Sequence, residues 1–106
     1  MGIKTERKDR GAGMADDVIR KHFYFEGRVQ GVGFRYKAMY LASRLGLTGW
    51  VDNLWDGRVE MEVQGKAPTI DQMLEKLSGD RFIRIEGIEA AEIPVETERG
   101  FKMKGY

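Results

Sequence analysis

Three glycines and an arginine lie close together in one short stretch of the sequence, and together they could bind an anion. The stretch reads Gly-Arg-Val-Gln-Gly-Val-Gly-Phe-Arg over residues 27–35, with Arg35 at its end. Glycines let a backbone turn tightly and leave its N–H groups open to a ligand. The N–H groups in the first turn of a helix also have no partner inside that helix. Because the guanidinium of Arg35 is permanently charged and forked, the stretch predicts a cradle for a phosphate or a carboxylate.

Two other glycine-rich phosphate motifs do not fit this stretch. A P-loop requires G-x-x-x-x-G-K-[ST], and a dinucleotide loop requires G-x-G-x-x-G. Here Gly31 and Gly33 are followed by Phe34-Arg35-Tyr36, so the third glycine is absent. A tight glycine turn without a ligand stays open as an alternative, since such turns are common.

Asn53, the only asparagine in the chain, is the second candidate for chemistry. Taken alone it is most simply a turn former ahead of Asp56-Gly57. An amide side chain can, however, accept a hydrogen bond from a water and donate one to an oxyanion at the same time. That pair of contacts is what positioning a nucleophilic water requires, provided that the fold brings Asn53 opposite the glycine stretch.

The hydrophobic pattern of the first half of the chain predicts the elements on both sides of this stretch. Aromatic and β-branched residues predict a strand over about 21–28. Apolar residues at helical spacing from Phe34 predict a helix that ends at Gly46. Residues 47–53 read as a second strand and Asp56-Gly57 as a hairpin turn. Strict alternation over 58–64 predicts a third strand, closed by Gly65, with three residues facing the core: Val59, Met61 and Val63.

The second half of the chain predicts a further helix and strand. Thr69 and Gln72 fit a capping box at the start of the helix. Its buried stripe is Ile70, Met73, Leu74 and Leu77. Residues 84–95 read as a fourth strand with a bulge near Gly87 and three candidate core residues: Ile85, Ile88 and Ile93. Residues 101–104 read as a short final strand.

The resulting order, β-α-β-β-α-β, predicts an α+β domain of the ferredoxin-like type. In this sandwich two helices cover one face of an antiparallel sheet. The short strand predicted over 101–104 would be a fifth strand at the edge of this sheet. Strands 1 and 2 then run parallel with strand 3 between them, so both end at the same edge of the sheet. Their ends are separated by two strand spacings, roughly 10 Å. Arg35 and Asn53 can therefore face each other across a small substrate.

Length and composition limit the possible functions. A chain of 106 residues suits one domain, and its net charge of +1 gives no overall attraction to nucleic acid or membranes. We expect residues 1–17, which are rich in charged residues and contain Gly11 and Gly13, to form a flexible tail and residues 18–106 to form the domain. The absence of cysteine, of a signal peptide and of a long apolar run predicts a cytoplasmic protein without disulfides.

The residue types also restrict the reaction. Without cysteine there is no thiolate nucleophile, and the single histidine, His22, lies within a strand pattern. Asp52 and Asp56 could suggest a metal site together with Glu60 and Glu62, but the last two alternate with core residues and are expected on a solvated face. If the bound anion is a phosphoryl group, an arginine and a ring of amides can hold its charge, and water is left as the nucleophile.

Two stretches resemble the signature motifs of the acylphosphatase family. They are residues 27–35 and the pair Gly-Trp-Val-Asp-Asn (49–53) with Asp-Gly-Arg-Val-Glu (56–60). The resemblance covers about residues 20–106 and implies the ferredoxin-like fold and hydrolysis of the carboxyl–phosphate bond of acyl phosphates, with no metal and no cofactor. It implies that Asn53 positions the attacking water and that Arg35 binds the phosphoryl group together with loop amides, those of Arg28, Val29, Gln30, Gly31, Val32 and Gly33.

This resemblance also implies a monomer whose only partner is a small acyl phosphate, with no nucleic acid and no membrane. The chain departs from the family pattern at Gly79-Asp80, where Gly-Pro is common, and in its longer charged N-terminus.

Two alternatives of other classes stay open. RNA-recognition domains share this topology and read bases with aromatic residues on central strands. Phe23, Tyr24 and Phe25 are compatible with that function, but Glu60 and Glu62 are acidic where it needs aromatic and basic residues. The other alternative is a module that binds an acyl or carbamoyl phosphate within a larger assembly without hydrolysing it.

Overall fold

A computed structural model describes residues 17–105 of the chain. The order of elements is that of the predicted ferredoxin-like sandwich with one additional strand. The elements are β1 (Val18–Arg28), α1 (Phe34–Leu45), β2 (Thr48–Asn53), β3 (Val59–Lys66), α2 (Ala67–Ser78), β4 (Arg84–Ile93) and β5 (Phe101–Met103). The predicted tail, residues 1–17, lies outside the described residues except for Asp17, and the proposed domain boundary stays a prediction.

The five strands form one sheet in the order β4-β1-β3-β2-β5. β3 pairs antiparallel with both β1 and β2, so β1 and β2 run parallel on its two sides, as predicted. β4 pairs antiparallel with β1, and β5 adds to β2 in parallel, which makes the sheet mixed at that edge. The ends of β1 and β2 therefore lie at one edge of the sheet with a single strand between them.

The core lies between the helices and one face of the sheet. The alternation predicted for β3 is confirmed, because Val59, Met61 and Val63 are fully buried. α1 contributes Phe34 and Ala38 to this core, among others. From α2 come three residues of the predicted stripe, Ile70, Met73 and Leu77, whereas the fourth, Leu74, is only partly buried. Burial of this face stabilises the position of α1, whose first turn begins the candidate site.

Several predicted details are wrong. No capping box forms at Thr69, because α2 begins earlier, at Ala67, and has Pro68 in its first turn; the fixed φ of proline suits that position. Gly65 does not close β3, which runs on to Lys66. Ile88 is not a core residue, since 47% of its surface is exposed. It lies on the edge strand β4, while the helices pack mainly over β2, β3 and β5.

The predicted bulge is confirmed one residue from Gly87. Glu26 pairs with Gly87 and Gly27 pairs with Ile85, so that Glu86 is the extra residue on β4. A bulge bends its strand and increases the local twist. Here the irregularity lies immediately before the glycine stretch, at the end of β1.

The sheet face opposite the helices carries polar residues and is partly covered by the chain between β4 and β5. Arg20 is completely buried there and donates to Glu62 and to Glu98, each at 2.8 Å. Gln64 exchanges two hydrogen bonds with the backbone of Glu96, at 2.8 and 2.9 Å. These contacts fix the covering segment, residues 94–100, and with it the approach of the chain to β5. No helix among residues 17–105 is long and apolar enough to cross a membrane.

Candidate active site

The glycine stretch forms a loop between β1 and α1, and its last glycine is the N-cap of the helix. Gly31 and Gly33 have φ values of 73° and 84°, a region that side chains with a Cβ rarely adopt. The helix has no side-chain cap and no acidic residue in its first turn. Its first N–H groups therefore stay available to an anion, and the helix dipole adds positive potential at the same point.

A cavity of about 130 Å³ lies at this helix start. The predicted residues that line it are Val29, Gly31, Gly33, Arg35 and Asn53. The volume is that of a small polar group rather than of a large organic ligand. Five of the eight predicted site residues, including both that were assigned to the chemistry, thus meet at one small cavity.

Three of the predicted loop residues do not line this cavity: Arg28, Gln30 and Val32. Val32 packs against the hydrophobic core. Arg28, the last residue of β1, is exposed and lines a different cavity on the β4 side. The prediction for these residues concerned their backbone amides, which no contact in the structure tests.

Arg35 lies in the first turn of α1 and is partly exposed. Its Nη1 donates to the carbonyl oxygen of Lys104 at 2.5 Å. The Lys104 amide in turn donates to the carbonyl oxygen of Val51 in β2 at 2.8 Å. Gly105 follows with a φ of 77°, and a Cβ at this glycine would lie 3.2 Å from Nη1 of Arg35. The guanidinium is therefore oriented by the backbone that follows β5, a contact that the sequence pattern did not predict.

Asn53 is the last residue of β2, where it pairs with Val59 of β3. Its Oδ1 atom is buried and accepts no hydrogen bond from the described residues 17–105. A buried amide oxygen without a donor is uncommon in folded proteins and is often associated with a ligand or a functional role. Since this side chain lines the same cavity as Arg35, its oxygen is suited to a hydrogen bond from a molecule within the cavity.

The side chain of Gln30 connects the two halves of the site. Its Nε2 donates to the carbonyl oxygens of Leu54 and Arg58, at 2.6 and 2.9 Å. Leu54 and Arg58 are themselves joined by a backbone hydrogen bond of 2.8 Å across the β2–β3 turn. The sequence pattern predicted only a backbone role for Gln30. Its position as a long polar residue among glycines and valines was the one signal for a side-chain role. Its partners could not be predicted, because they lie in a hairpin that is distant in sequence.

Two acidic residues considered from the sequence, Glu60 and Glu62, are paired with basic side chains. Glu60 accepts a hydrogen bond from Nε2 of His22 over 2.7 Å on the polar sheet face, and Glu62 pairs with Arg20. The prediction that Glu60 and Glu62 lie on a solvated face is therefore wrong, because both side chains are partly buried in polar contacts. Among residues 17–105 no group of three histidine, aspartate or glutamate side chains could hold a metal ion.

Asp56 lies in the turn after β2, beside Arg58. It accepts hydrogen bonds from the amide of Arg58, at 3.1 Å, and from its guanidinium, at 2.9 Å. The amide bond first, and then the ion pair, hold the pKa of the Asp56 carboxyl below its usual range. The turn that follows Asn53 is therefore fixed by a charged side chain as well as by Gln30.

Asp80, where the chain departs from the family pattern, fixes a second loop near the helix start. It accepts from the Phe82 amide at 2.8 Å and pairs with Lys37 of α1 at 3.1 Å. These contacts, the amide bond first, lower the pKa of the Asp80 carboxyl. The loop between α2 and β4 is therefore bound to the helix that carries Arg35.

Comparisons with known proteins agree with this architecture. A family model described as Acylphosphatase matches residues 21–103. An acylphosphatase from Clostridium perfringens is 47% identical over 81 residues, which are 76% of this chain and 91% of that protein. The structure of an acylphosphatase from Coxiella burnetii superimposes with a TM-score of 0.76 at 34% identity, covering 83% of this chain and 94% of that one. Part of a longer protein, T. kodakarensis HypF, is also similar, with a TM-score of 0.72 at 34% identity over 83% of this chain and 12% of that chain.

Proposed function

The chain belongs to the acylphosphatase family, and from this premise we propose that it hydrolyses the carboxyl–phosphate bond of acyl phosphates with Arg35 and Asn53 as its catalytic residues. The observation that carries the proposal is that both side chains line one small cavity at an uncapped helix start. The products are a carboxylate and inorganic phosphate.

In this proposal the phosphoryl group lies in the glycine loop. The amides of residues 28–33 and the first turn of α1 donate to its oxygens, and the helix dipole favours its negative charge. Arg35 adds two parallel N–H donors and a full positive charge. Its contact with the Lys104 carbonyl restricts the guanidinium before the substrate arrives, which lowers the entropy lost on binding.

Asn53 orients the water that attacks phosphorus. One water hydrogen is donated to the buried Oδ1 of Asn53, the acceptor that no described residue satisfies. The water oxygen forms the new bond to phosphorus while the bond between phosphorus and the acyl oxygen breaks, and the electron pair leaves with the carboxylate. The proton that water gives up passes to a phosphoryl oxygen and leaves with the inorganic phosphate. Because the transition state of such transfers is loose, positioning and charge stabilisation contribute more than a strong base.

The test is release of inorganic phosphate from benzoyl phosphate in the presence of excess chelator. We expect turnover by the wild type and a loss of more than about 10³-fold in kcat/KM for Arg35→Ala, since the substitution removes charge stabilisation as well as binding. Arg44→Gln is the matched control, because Arg44 is an exposed arginine in the last turn of the same helix. The proposal is wrong if the folded wild type has no activity or if Arg35→Ala retains it.

The second candidate function is binding of an acyl or carbamoyl phosphate without hydrolysis. The similarity to part of the longer HypF chain is the observation that favours it. The same assay distinguishes the two candidates: a binding module would bind inorganic phosphate in a manner that depends on Arg35 but would release none from benzoyl phosphate.

A further inference from the structure

A second cavity, of about 430 Å³, lies on the β4 side of the glycine loop. Three arginines line it together with Ser78 and three apolar residues; the arginines are Arg28, Arg81 and Arg84, and the apolar residues are Phe82, Ile83 and Ile85. We call it the arginine cavity. Arg28 is the residue immediately before Val29, which lines the small cavity of the candidate active site. Consecutive residues at the start of the loop therefore line the two cavities.

Within residues 17–105 no carboxylate neutralises the positive charge of the arginine cavity. None of its three guanidinium groups forms an ion pair with a carboxylate among residues 17–105, whereas Arg20, Lys37 and Arg58 all do. The adjacent acid, Asp80, is bound by Lys37 and by the Phe82 amide instead. Like charges that share a concave site raise the local potential and attract an anion to it.

The remaining lining suits a short carbon chain. Ile83 is buried and Ile85 partly buried, so they provide an apolar floor. Phe82 is 63% exposed and has the Arg81 guanidinium 5.3 Å from its ring centre. An aliphatic segment could thus lie between the loop and these side chains while its terminal anion meets the arginines.

The order of the strands places the arginine cavity opposite Asn53. Arg84 begins β4 and pairs with Arg28 at the end of β1. Along this edge β4 lies next to β1 on one side. On the other side of β1 come β3 and then β2, which ends at Asn53. The attacking and leaving oxygens of phosphoryl transfer are roughly in line through phosphorus. If the water approaches from Asn53, the acyl group leaves towards β4.

From these observations we propose that the arginine cavity binds a second anionic group, a carboxylate or a phosphate, carried on the acyl portion of the substrate. The proposal rests on the proposed function for its substrate class. It makes acyl phosphates with an anionic acyl group the preferred substrates and assigns Arg81 and Arg84 to specificity.

The test compares two acyl phosphates of the same length, succinyl phosphate and butyryl phosphate, which differ in whether the chain ends in a carboxylate or a methyl group. We expect the wild type to have a kcat/KM about tenfold higher for succinyl phosphate, as for a charge-assisted contact at a partly exposed site. In an Arg81→Gln, Arg84→Gln double variant the ratio should fall to about one. Arg44→Gln is again the control and should keep the wild-type ratio.

A binding measurement separates this proposal from the proposed function. Calorimetry would use the two phosphonate analogues in which CH₂ replaces the bridging oxygen, and also free succinate. A preference for the carboxylated analogue that the double variant loses supports the arginine cavity even if neither acyl phosphate is hydrolysed. The proposal is overturned if wild type shows no preference, if the preference survives in the double variant, or if free succinate binds as tightly as the analogue, since the cavity would then bind a separate anion.

Discussion

Gln30 donates a hydrogen bond of 2.6 Å to the carbonyl oxygen of Leu54, the residue that directly follows Asn53. The side chain begins in the anion-binding loop and ends at the hairpin that carries the water-positioning candidate. It therefore sets the separation between the two sides of the cavity. Catalysis of this type depends on that separation, because misplacement of a reacting group by about 1 Å can cost 10²-fold in rate.

Replacing Gln30 by leucine should reduce kcat for benzoyl phosphate by about 10-fold to 10²-fold, since two hydrogen bonds that join the loop and the hairpin are lost. The free energy of unfolding should fall by about 1–2 kcal/mol. Steady-state kinetics and urea unfolding measure the two effects. Gln72→Leu, on the exposed side of α2, is the matched control. A Gln30→Leu variant with wild-type kcat would show that Gln30 contributes only to stability.

Asn53→Ala should separate binding from chemistry. The substitution removes the acceptor proposed for the water and leaves Arg35 and the loop in place, so kcat should fall by about 10² or more. The dissociation constant of inorganic phosphate should stay close to that of the wild type, as measured by calorimetry. An equal loss in phosphate affinity and in kcat would instead assign Asn53 to phosphoryl binding.

The elements that position the site could be predicted because their signals are local. Alternation at Val59, Met61 and Val63 and the helical spacing from Phe34 each depend on a few neighbouring residues. The contact between Arg35 and Lys104 joins residues 69 apart in sequence, and no local pattern reports it. Ile88 was misassigned for a related reason: an isoleucine in a strand signals burial only if a helix covers that strand, and that depends on packing.

Arg20 is another residue that the sequence could not place. A charged residue in an alternating strand is expected in water, yet the segment 94–100 buries it completely. Burial disfavours its charge, but the hydrogen bonds that it donates to Glu98 and Glu62 more than offset this, so the pKa of Arg20 lies above its ordinary value.

Arg20→Met should destabilise the domain by about 2–3 kcal/mol, because it leaves the partly buried Glu62 and Glu98 without their common partner. Thermal and urea unfolding measure the loss. Arg58→Met breaks the more exposed pair with Asp56 and should cost clearly less than Arg20→Met, because an exposed ion pair contributes little to stability. Equal losses in the two variants would show that burial of Arg20 has no energetic consequence.

Asp80 makes stability depend on pH in a defined direction. Its pKa is lowered in the folded protein by the Phe82 amide and by Lys37, so the folded state binds this proton less readily than the unfolded state does. The contribution of the Asp80 carboxylate to the free energy of unfolding is therefore complete above the unfolded pKa of about 4. It is lost as the pH falls through the lower pKa of the folded state.

Asp80→Asn removes the charge, and this variant should be less stable than the wild type at pH 6. The difference between the two should shrink below pH 4, as measured by urea unfolding across that range. Asp71→Asn, an exposed position in α2, is the control. A difference that stayed constant from pH 6 to pH 2 would mean that Asp80 acts through its shape and its hydrogen bond to the Phe82 amide rather than through its charge.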